Sequence, residues 1–311
     1  MTQGLASLIM PAWQPRPEWL REAVGSALAQ RNCEIELLVV DDGSPEPVAD
    51  LLTGFDDPRL RVIRIDHAGA TAATNAGIAA ARGDHMRFID ADDVIDRDST
   101  ARLLELIGGR DDVIAYGATV FCDENLRPLW RMTSDVEGDA VIPCLLGRFT
   151  TRPHAFLFPR QIVEATGEWS TELTVSEDWD FILRALEHAE VRGTHAVATY
   201  YRRHPGGLTS DPAEGERGAR AVIDGYFERH PEQRGTRLER RARARMLALI
   251  GRVYLTHGQR GKGIGNLARS AVRDPSAIAL EVTQGARAVP GFARRLIRPR
   301  GAKRRTPPDQ S

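Results

Sequence analysis

Short apolar runs that stop abruptly at carboxylates constrain this chain more than any other feature. Leu37-Leu38-Val39-Val40 runs into Asp41-Asp42-Gly43-Ser44, and Met86-Arg87-Phe88-Ile89 runs into Asp90-Ala91-Asp92-Asp93. Runs of this length and composition read as buried strands. In an open α/β sheet, ligands bind outside the carboxyl ends of the strands. Two acidic turns at such ends therefore face one crevice. Charge of one sign packed so closely is unfavourable unless a cation or hydrogen-bond donors compensate it. Hard oxygen ligands in this pattern suit Mg2+ or Mn2+, which take one or two protein carboxylates and complete their shell with phosphate oxygens and water. The expectation is a divalent cation carrying a diphosphate.

The surrounding pattern supports a layered α/β unit. Leu5 to Met10 reads as a buried strand ended by Pro11, and Glu18 to Gln30 has helical spacing. Ile35 to Val40, Leu60 to Ile65 and His85 to Ile89 read as further strands. Helices are predicted over Val48 to Phe55, Thr71 to Ala81 and Ser99 to Ile107. Strand and helix alternating at this pitch imply right-handed crossovers and a mainly parallel, Rossmann-like sheet flanked by helices. From Val113 to Phe158 the chain is richer in aromatic and β-branched residues, which predicts mixed strands and loops on an acceptor side. Ser176 to Glu190 returns to helix, and Ala196 to Tyr201 is a final strand.

After residue 205 the character changes to Arg-rich helix, with Arg237 to Thr256 and Gly263 to Arg273 predicted as an antiparallel pair. Three regions follow: an α/β unit over 1–205, a helical region over 206–298, and a disordered basic tail over 299–311. The formal net charge of −1 hides the asymmetry, because no acid occurs between Val282 and Pro308. That basic stretch, with Phe292, Leu296 and Ile297 among its arginines, predicts peripheral contact with an anionic membrane surface. Few aromatics and an acidic body argue against nucleic acid. Three scattered cysteines show no metal spacing and fit buried thiols in a reducing compartment. No signal peptide or spanning segment is apparent, so a cytoplasmic protein is expected, peripheral at the inner face of the membrane if the tail docks.

Several short segments, in order, resemble the family-2 inverting glycosyltransferases of the GT-A fold. Ala6-Ser7-Leu8-Ile9-Met10-Pro11-Ala12-Trp13 resembles their opening strand, and Val39-Val40-Asp41-Asp42-Gly43-Ser44 their first aspartate motif. His67-Ala68-Gly69 through Asn75-Ala76-Gly77, then Ala81-Arg82-Gly83-Asp84, is similar to the segment before the metal motif. Phe88-Ile89-Asp90-Ala91-Asp92-Asp93 resembles the metal motif itself. Gly167-Glu168-Trp169 leads to Ser176-Glu177-Asp178-Trp179-Asp180, similar to the motif of the catalytic base, and Tyr201-Arg202-Arg203-His204 resembles the closing motif. The resemblance covers roughly the first 205 residues. Two positions depart from it: His67 stands where asparagine is usual, and Thr74 where arginine is usual.

The resemblance implies roles. Asp42 would meet the nucleotide base, backbone at Pro11 and Ala12 would line its pocket, and Asp92 would meet the ribose. Asp93 would hold Mg2+ or Mn2+, and Arg202 or His204 would complete the diphosphate site. Asp178 would be the base that takes the acceptor hydroxyl's proton, with Glu177 and Asp180 as competing candidates. Trp179 is expected to pack into the core. The implied reaction moves a sugar from a nucleoside-diphosphate donor, a UDP type being favoured, to a hydroxyl acceptor that is lipid-linked in some settings. The implied setting is assembly of a polysaccharide, glycolipid or glycosylated metabolite. The alternatives are a degenerate domain that binds nucleotide sugar without turnover, or a sugar nucleotidyltransferase. Pro11-Ala12-Trp13-Gln14-Pro15 offers no glycine-rich phosphate loop for the latter, and no G-x-G-x-x-G turn supports a dinucleotide enzyme.

Overall fold

The computed structural model describes residues 4–149, 152–204 and 211–279. Nine strands form one sheet in the order β3-β2-β1-β4-β8-β6-β9-β5, with β7 paired to β6. Its first half is β3 (Leu60–Ile65), β2 (Glu34–Asp42), β1 (Leu5–Ala12) and β4 (His85–Phe88), all parallel. The crossovers are α1 (Pro17–Leu28), the short α2 (Val48–Leu51) and α3 (Ala70–Ala80). The second half is mixed. β5 (Val94–Ile95) is antiparallel to β9 (Glu190–Arg202). β8 (Phe156–Pro159) runs antiparallel to both β4 and β6 (Val113–Cys122), β6 is parallel to β9, and β7 (Pro128–Met132) is antiparallel to β6. The remaining helices are α4 (Ser99–Ile107), α5 (Val141–Leu145), α6 (Arg160–Thr166), α7 (Glu177–Leu186), α8 (Pro212–Arg229), α9 (Arg237–Thr256) and α10 (Arg260–Arg273).

The central strands read as unbroken apolar runs because both faces of the sheet are covered. Leu8, Met10, Leu37 and Val39 join α1 in one buried cluster, while Ile9 and Leu38 face the other with Phe158, Phe181 and Trp169. Val222, Ile223, Phe227, Met246 and Ile250 belong to that second cluster, so α8 and α9 share a core with the sheet. Trp179 packs against it, as expected. The 206 boundary and the tail from 280 onward lie outside the described residues.

Pro11 does not end the first strand. β4 stops at Phe88 opposite Ile9, so beyond that point β1 has no neighbour on that side to miss a proline N–H. β1 continues through Pro11 and Ala12, paired with Val40 and Asp41. Two contacts then fix α3 over the strands. A Cβ on Gly77 would stand 2.4 Å from Ile9 Cγ2, so only glycine permits this approach. Asn75 accepts from the Trp169 N–H at 2.9 Å and donates to its carbonyl at 3.0 Å, tying α3 to the segment that precedes α7.

Candidate functional site

At the end of β2 the two aspartates do different work. Asp41 is buried and accepts from the backbone N–H of Ser44 (2.8 Å) and Val48 (3.2 Å) and from the Arg64 guanidinium. Burial alone would raise its pKa, but these donors outweigh it and hold the carboxyl below its usual range. Asp41 is thus the cap of the turn and of α2. The Ser44 hydroxyl accepts from the Gln14 N–H at 3.0 Å. Gly43 has φ +68°, and a Cβ there would meet the His67 nitrogen at 2.7 Å.

Asp42 is also sealed, its side chain only 1% exposed. Its oxygens accept from the N–H groups of Ala68 (2.8 Å) and Gly69 (2.9 Å), and one lies 2.8 Å from His67 Nδ1. His67 stacks on Trp13 with centroids 4.8 Å apart, and Trp13 is 51% exposed. The solvent-facing surface above Asp42, next to Pro11 and Ala12, is therefore the Trp13–His67 pair.

At the end of β4, Asp93 is buried to 1% and accepts from the Arg202 backbone N–H at 2.8 Å. Its other oxygen lies 2.9 Å from His154 Nδ1, while His154 Nε2 lies 3.0 Å from Asp90. Burial would lower the His154 pKa, but the two carboxylates override it and push it up to about 10. Burial, with the charges of Asp90 and Asp92 against the help of His154, raises Asp93 to about 6. Asp92 is also raised, first by burial and then by Asp90. Its carboxylate lies 2.8 Å from His204 Nε2.

The scaffold beneath this cluster is Arg87, whose side chain is fully buried. It donates to the carbonyl of His154 (3.1 Å), to Ser99 Oγ (2.8 Å), to Thr100 Oγ1 (3.0 Å) and to the carbonyl of Ala198 (2.8 Å). Burial without a carboxylate partner pulls its pKa down to about 9, still charged at neutral pH. Arg202 is likewise enclosed. Its guanidinium donates to the carbonyls of Asp92 and Glu124 and to the Glu22 carboxylate, so it orders the acidic turn from below.

The third part is the start of α7. Ser176 stands at its N-cap position without a side-chain capping bond and has φ +70°, a strained value for a residue with a side chain. Asp178 follows, partly exposed, with the Arg152 guanidinium 3.9 Å away. Burial, reinforced by Asp178, raises Glu177 to about 7. Asp180 is buried and ion-paired with Arg184 at 2.8 Å, which leaves it as a helix clamp. A chain of contacts joins this carboxylate pair to the acidic cluster: Arg152 sits over the Tyr201 ring at 5.1 Å, and Tyr201 stacks with His154 at 6.1 Å.

Asp90, Asp93 and His154 offer ligand atoms all within 4.8 Å of one another. The Asp93–His154 approach lacks hydrogen-bond alignment despite its 2.9 Å length. Adjacent ligands of an octahedral ion at about 2.1 Å stand about 3 Å apart, so this unaligned pair has the spacing of two metal ligands. Two carboxylates and an imidazole fit Mg2+ or Mn2+, and the nitrogen favours Mn2+. His154 was not found from sequence because nothing marks a lone histidine 61 positions beyond Asp93. Arg152 and Glu22 were equally silent, and Trp13, though part of the opening-strand motif, carried no role of its own.

Of the residues read from sequence, Asp42, Asp92, Asp93, His204, Pro11 and Ala12 border the ends of β1, β2 and β4, and Asp178, next to Glu177 in the chain, approaches them through Arg152. The profile of glycosyl transferase family 2 matches residues 7–169. The chain belongs to that family. An uncharacterized glycosyltransferase, EpsJ of Bacillus subtilis (strain 168), is 27% identical over 220 residues, 67% of this chain and 64% of EpsJ. The succinoglycan biosynthesis protein ExoO of Rhizobium meliloti (strain 1021) is 42% identical over 84 residues, 27% of this chain and 24% of ExoO. The chain spans less than two thirds of the length of either relative. Among solved structures, residues 1–349 of S. aureus TarS in complex with UDP-GlcNAc superpose with TM-score 0.60 at 16% identity, covering 87% of this chain and 92% of that one. The family-2 member described here thus has the α/β fold expected from its sequence, of the GT-A type, with helices following the sheet.

Proposed function

We propose that the protein is a metal-assisted, inverting glycosyltransferase acting on a nucleoside-diphosphate sugar. The observation that carries this reading is the convergence of the Asp90–Asp93–His154 cluster with the Asp178 carboxylate, bridged by Arg152 and Tyr201. A cation and a base set side by side are what displacement at an anomeric carbon needs. The UDP-GlcNAc complex of TarS supports a UDP-type donor.

In this reading the base of the nucleotide lies against Trp13 beside Pro11 and Ala12. Asp42 acts on it through His67, whose ring it holds. Asp92 and His204 meet the ribose and diphosphate. The enclosed guanidinium of Arg202 fixes their backbone. Asp93, Asp90 and His154 would hold the metal, which when bound offsets negative charge on the departing diphosphate and is worth several kcal/mol in such sites. Asp178 accepts the proton of the acceptor hydroxyl as its oxygen bonds to the anomeric carbon. The carbon–phosphate-oxygen bond breaks on the opposite face, its electron pair leaves with the nucleoside diphosphate, and the centre inverts. Glu177, whose pKa burial pushes up to about 7, is the competing base.

The likeness to ExoO, a succinoglycan biosynthesis protein, supports assembly of a polysaccharide. A lipid-linked acceptor is supported by charge: residues 240–273 contain no acid. In that stretch α10 exposes Ile264 (61%) and Val272 (87%), as a face docking on anionic lipid would. No helix among the described residues is long and apolar enough to cross a membrane.

The test is thermal stability against UDP, GDP, dTDP and CDP, each with and without Mn2+. Stabilisation by one of them that requires Mn2+, about 2.7 kcal/mol at a hundredfold excess over Kd, is expected. Asp178→Asn should keep that shift and lose turnover by about 10²–10⁴-fold. A folded sample that no nucleotide stabilises would overturn the reading.

A further inference from the structure

The proposed base stands on a turn that its own helix does not secure. Ser176 holds φ +70° without a side-chain capping bond, and a strained residue persists only where its surroundings over-determine it. The Asp178 carboxylate is tied to this turn: one oxygen accepts from the Trp179 N–H at 2.7 Å, and the Asp180 N–H donates to the Ser176 carbonyl at 3.0 Å. Where the turn goes, the base goes. Against it lies α8, a helix the transfer chemistry does not otherwise use. Three of its residues are glycine, a poor helix former beside alanine. A Cβ on Gly215 would meet nothing within 4 Å, and one on Gly225 only the Arg229 Nη1 at 3.6 Å. At Gly218 a Cβ would stand 2.3 Å from the Val175 carbonyl oxygen and 3.0 Å from Ser176 Oγ. That glycine alone lets α8 rest directly on the turn. The helix is anchored in turn from behind and beyond. Glu216 accepts from the Tyr254 hydroxyl of α9 at 2.7 Å, Arg243 of α9 donates to Asp224 at 2.6 Å, and Arg229 reaches Glu187 at the far end of α7 at 2.9 Å.

We propose that Gly218 is a positioning residue for the transfer step: through it α8 braces the Val175–Ser176 turn and so sets where Asp178 stands against the acceptor hydroxyl. This rests on Asp178 being the base in the reading above. Ordinary contact begins at 3.4 Å, so a methyl group at position 218 must gain about 1 Å from the turn or from α8. The turn yields, because it is strained and uncapped while α8 is pinned to α9 and packs Ala219, Val222 and Ile223 into one core with Phe181 and Leu183. A displacement of about 1 Å at reacting groups costs about 10²-fold in rate. The donor contacts proposed at the ends of β1, β2 and β4 include no residue of α8, so donor binding is left alone.

The experiment compares Gly218→Ala with Gly215→Ala and Gly225→Ala in the full chain, so that one substitution in one helix meets three different surroundings. Amide hydrogen exchange followed by NMR needs no acceptor and holds whichever sugar the donor carries. In Gly218→Ala the N–H groups of Trp179 and Asp180 should exchange about tenfold or more faster, while those of Glu187 and His188 at the other end of α7 keep the parent's rate. Neither control should speed exchange at either end. Mn2+-dependent hydrolysis of UDP-GlcNAc, with water as the acceptor, gives the catalytic readout: kcat should fall by about 10²-fold in Gly218→Ala alone, with KM unchanged. Tyr254→Phe, which frees Glu216 one turn of contact away, asks the same question without overpacking should Gly218→Ala fail to fold; it should speed the same two amides and lower kcat at constant KM. Unchanged exchange at Trp179 and Asp180 in the folded variant, a parental kcat, or a loss shared by the two controls would each overturn the proposal. A parental kcat in Asp178→Asn would instead sink the reading of Asp178 as the base.

Discussion

Arg87→Lys is the most informative single change to the scaffold. The native guanidinium is fully buried and serves four acceptors, none of them charged. Lysine keeps the charge but concentrates it on a compact, strongly hydrated ammonium with three donors. At least one acceptor must then be left without a partner. The His154 carbonyl is the one expected to lose, because it is served by Nε, behind the fork that reaches Ser99, Thr100 and Ala198. An orphaned buried acceptor costs about 1–3 kcal/mol. The heavier desolvation of an ammonium adds to this, for a total of about 2–4 kcal/mol. On the scale of about 2–4 °C per kcal/mol, melting should fall by roughly 5–15 °C. Urea unfolding at unchanged slope measures the loss directly. Because His154 is freed, Mn2+ affinity should also fall by about 10–100-fold, the usual effect of removing support from behind a ligand. A variant within 0.5 kcal/mol of the parent would refute the claim that the hydrogen-bond geometry, and not the charge alone, makes Arg87 tolerable in the core.

Other outcomes follow from the same contacts. Gly77→Ala should destabilise by about 1–2 kcal/mol in chemical denaturation, since a Cβ only 2.4 Å from Ile9 Cγ2 puts the overpacking at about 2–3 kcal/mol, above the roughly 1 kcal/mol gained in helix propensity. Burial makes Glu177 bind its proton more tightly in the folded state, at about 7, than at its ordinary value of 4.5, so its contribution to stability is greatest below about 4.5 and is lost as pH rises through about 7. Glu177→Gln cannot titrate. It should match the parent at pH 4.5 and be more stable by about 1–2 kcal/mol at pH 8, allowing for partial solvent screening; equal stabilities at both pH values would contradict the burial argument. Chelation by EDTA should remove the UDP-dependent rise in melting temperature, and Asp93→Asn should remove it even in Mn2+; a rise that survives both would take the metal away from this cluster.

The fold was legible wherever both faces of an element are buried. The unbroken runs of β1, β2 and β4 mark strands, and the capped, periodic Arg237–Thr256 helix begins and ends where its pattern does. Reading failed where a tertiary contact overrides a local rule. Pro11 is a poor strand residue only if a neighbour requires its N–H, and β4 is too short to do so. β9 extends from Glu190 because β6 offers it a partner along its whole length, although its first residues carry little apolar pattern. The carboxylates of the site were legible because like charges clustered at strand ends demand an explanation. Their partners were not, since His154, Arg152 and Glu22 reach the cluster from distant segments whose local sequence carries no mark of it.

Those partners alter what the acidic turn is before any ligand arrives. Asp90, Asp92 and Asp93 do not await a cation as bare charges: His154 bridges two of them, His204 holds the third, and the Arg202 N–H caps Asp93. The protein supplies its own compensation, which is why three carboxylates can sit in four residues at the foot of a crevice. Any metal that binds must displace the proton on His154, since an imidazole ligates only through a free nitrogen. Metal and proton therefore compete for one ring, and that ring stacks on Tyr201, over which Arg152 lies beside Asp178. On the proposed reading, a cation held by Asp90 and Asp93 would therefore change the charge on the ring beneath Tyr201, and through Tyr201 and Arg152 that change would lie next to Asp178, the proposed base.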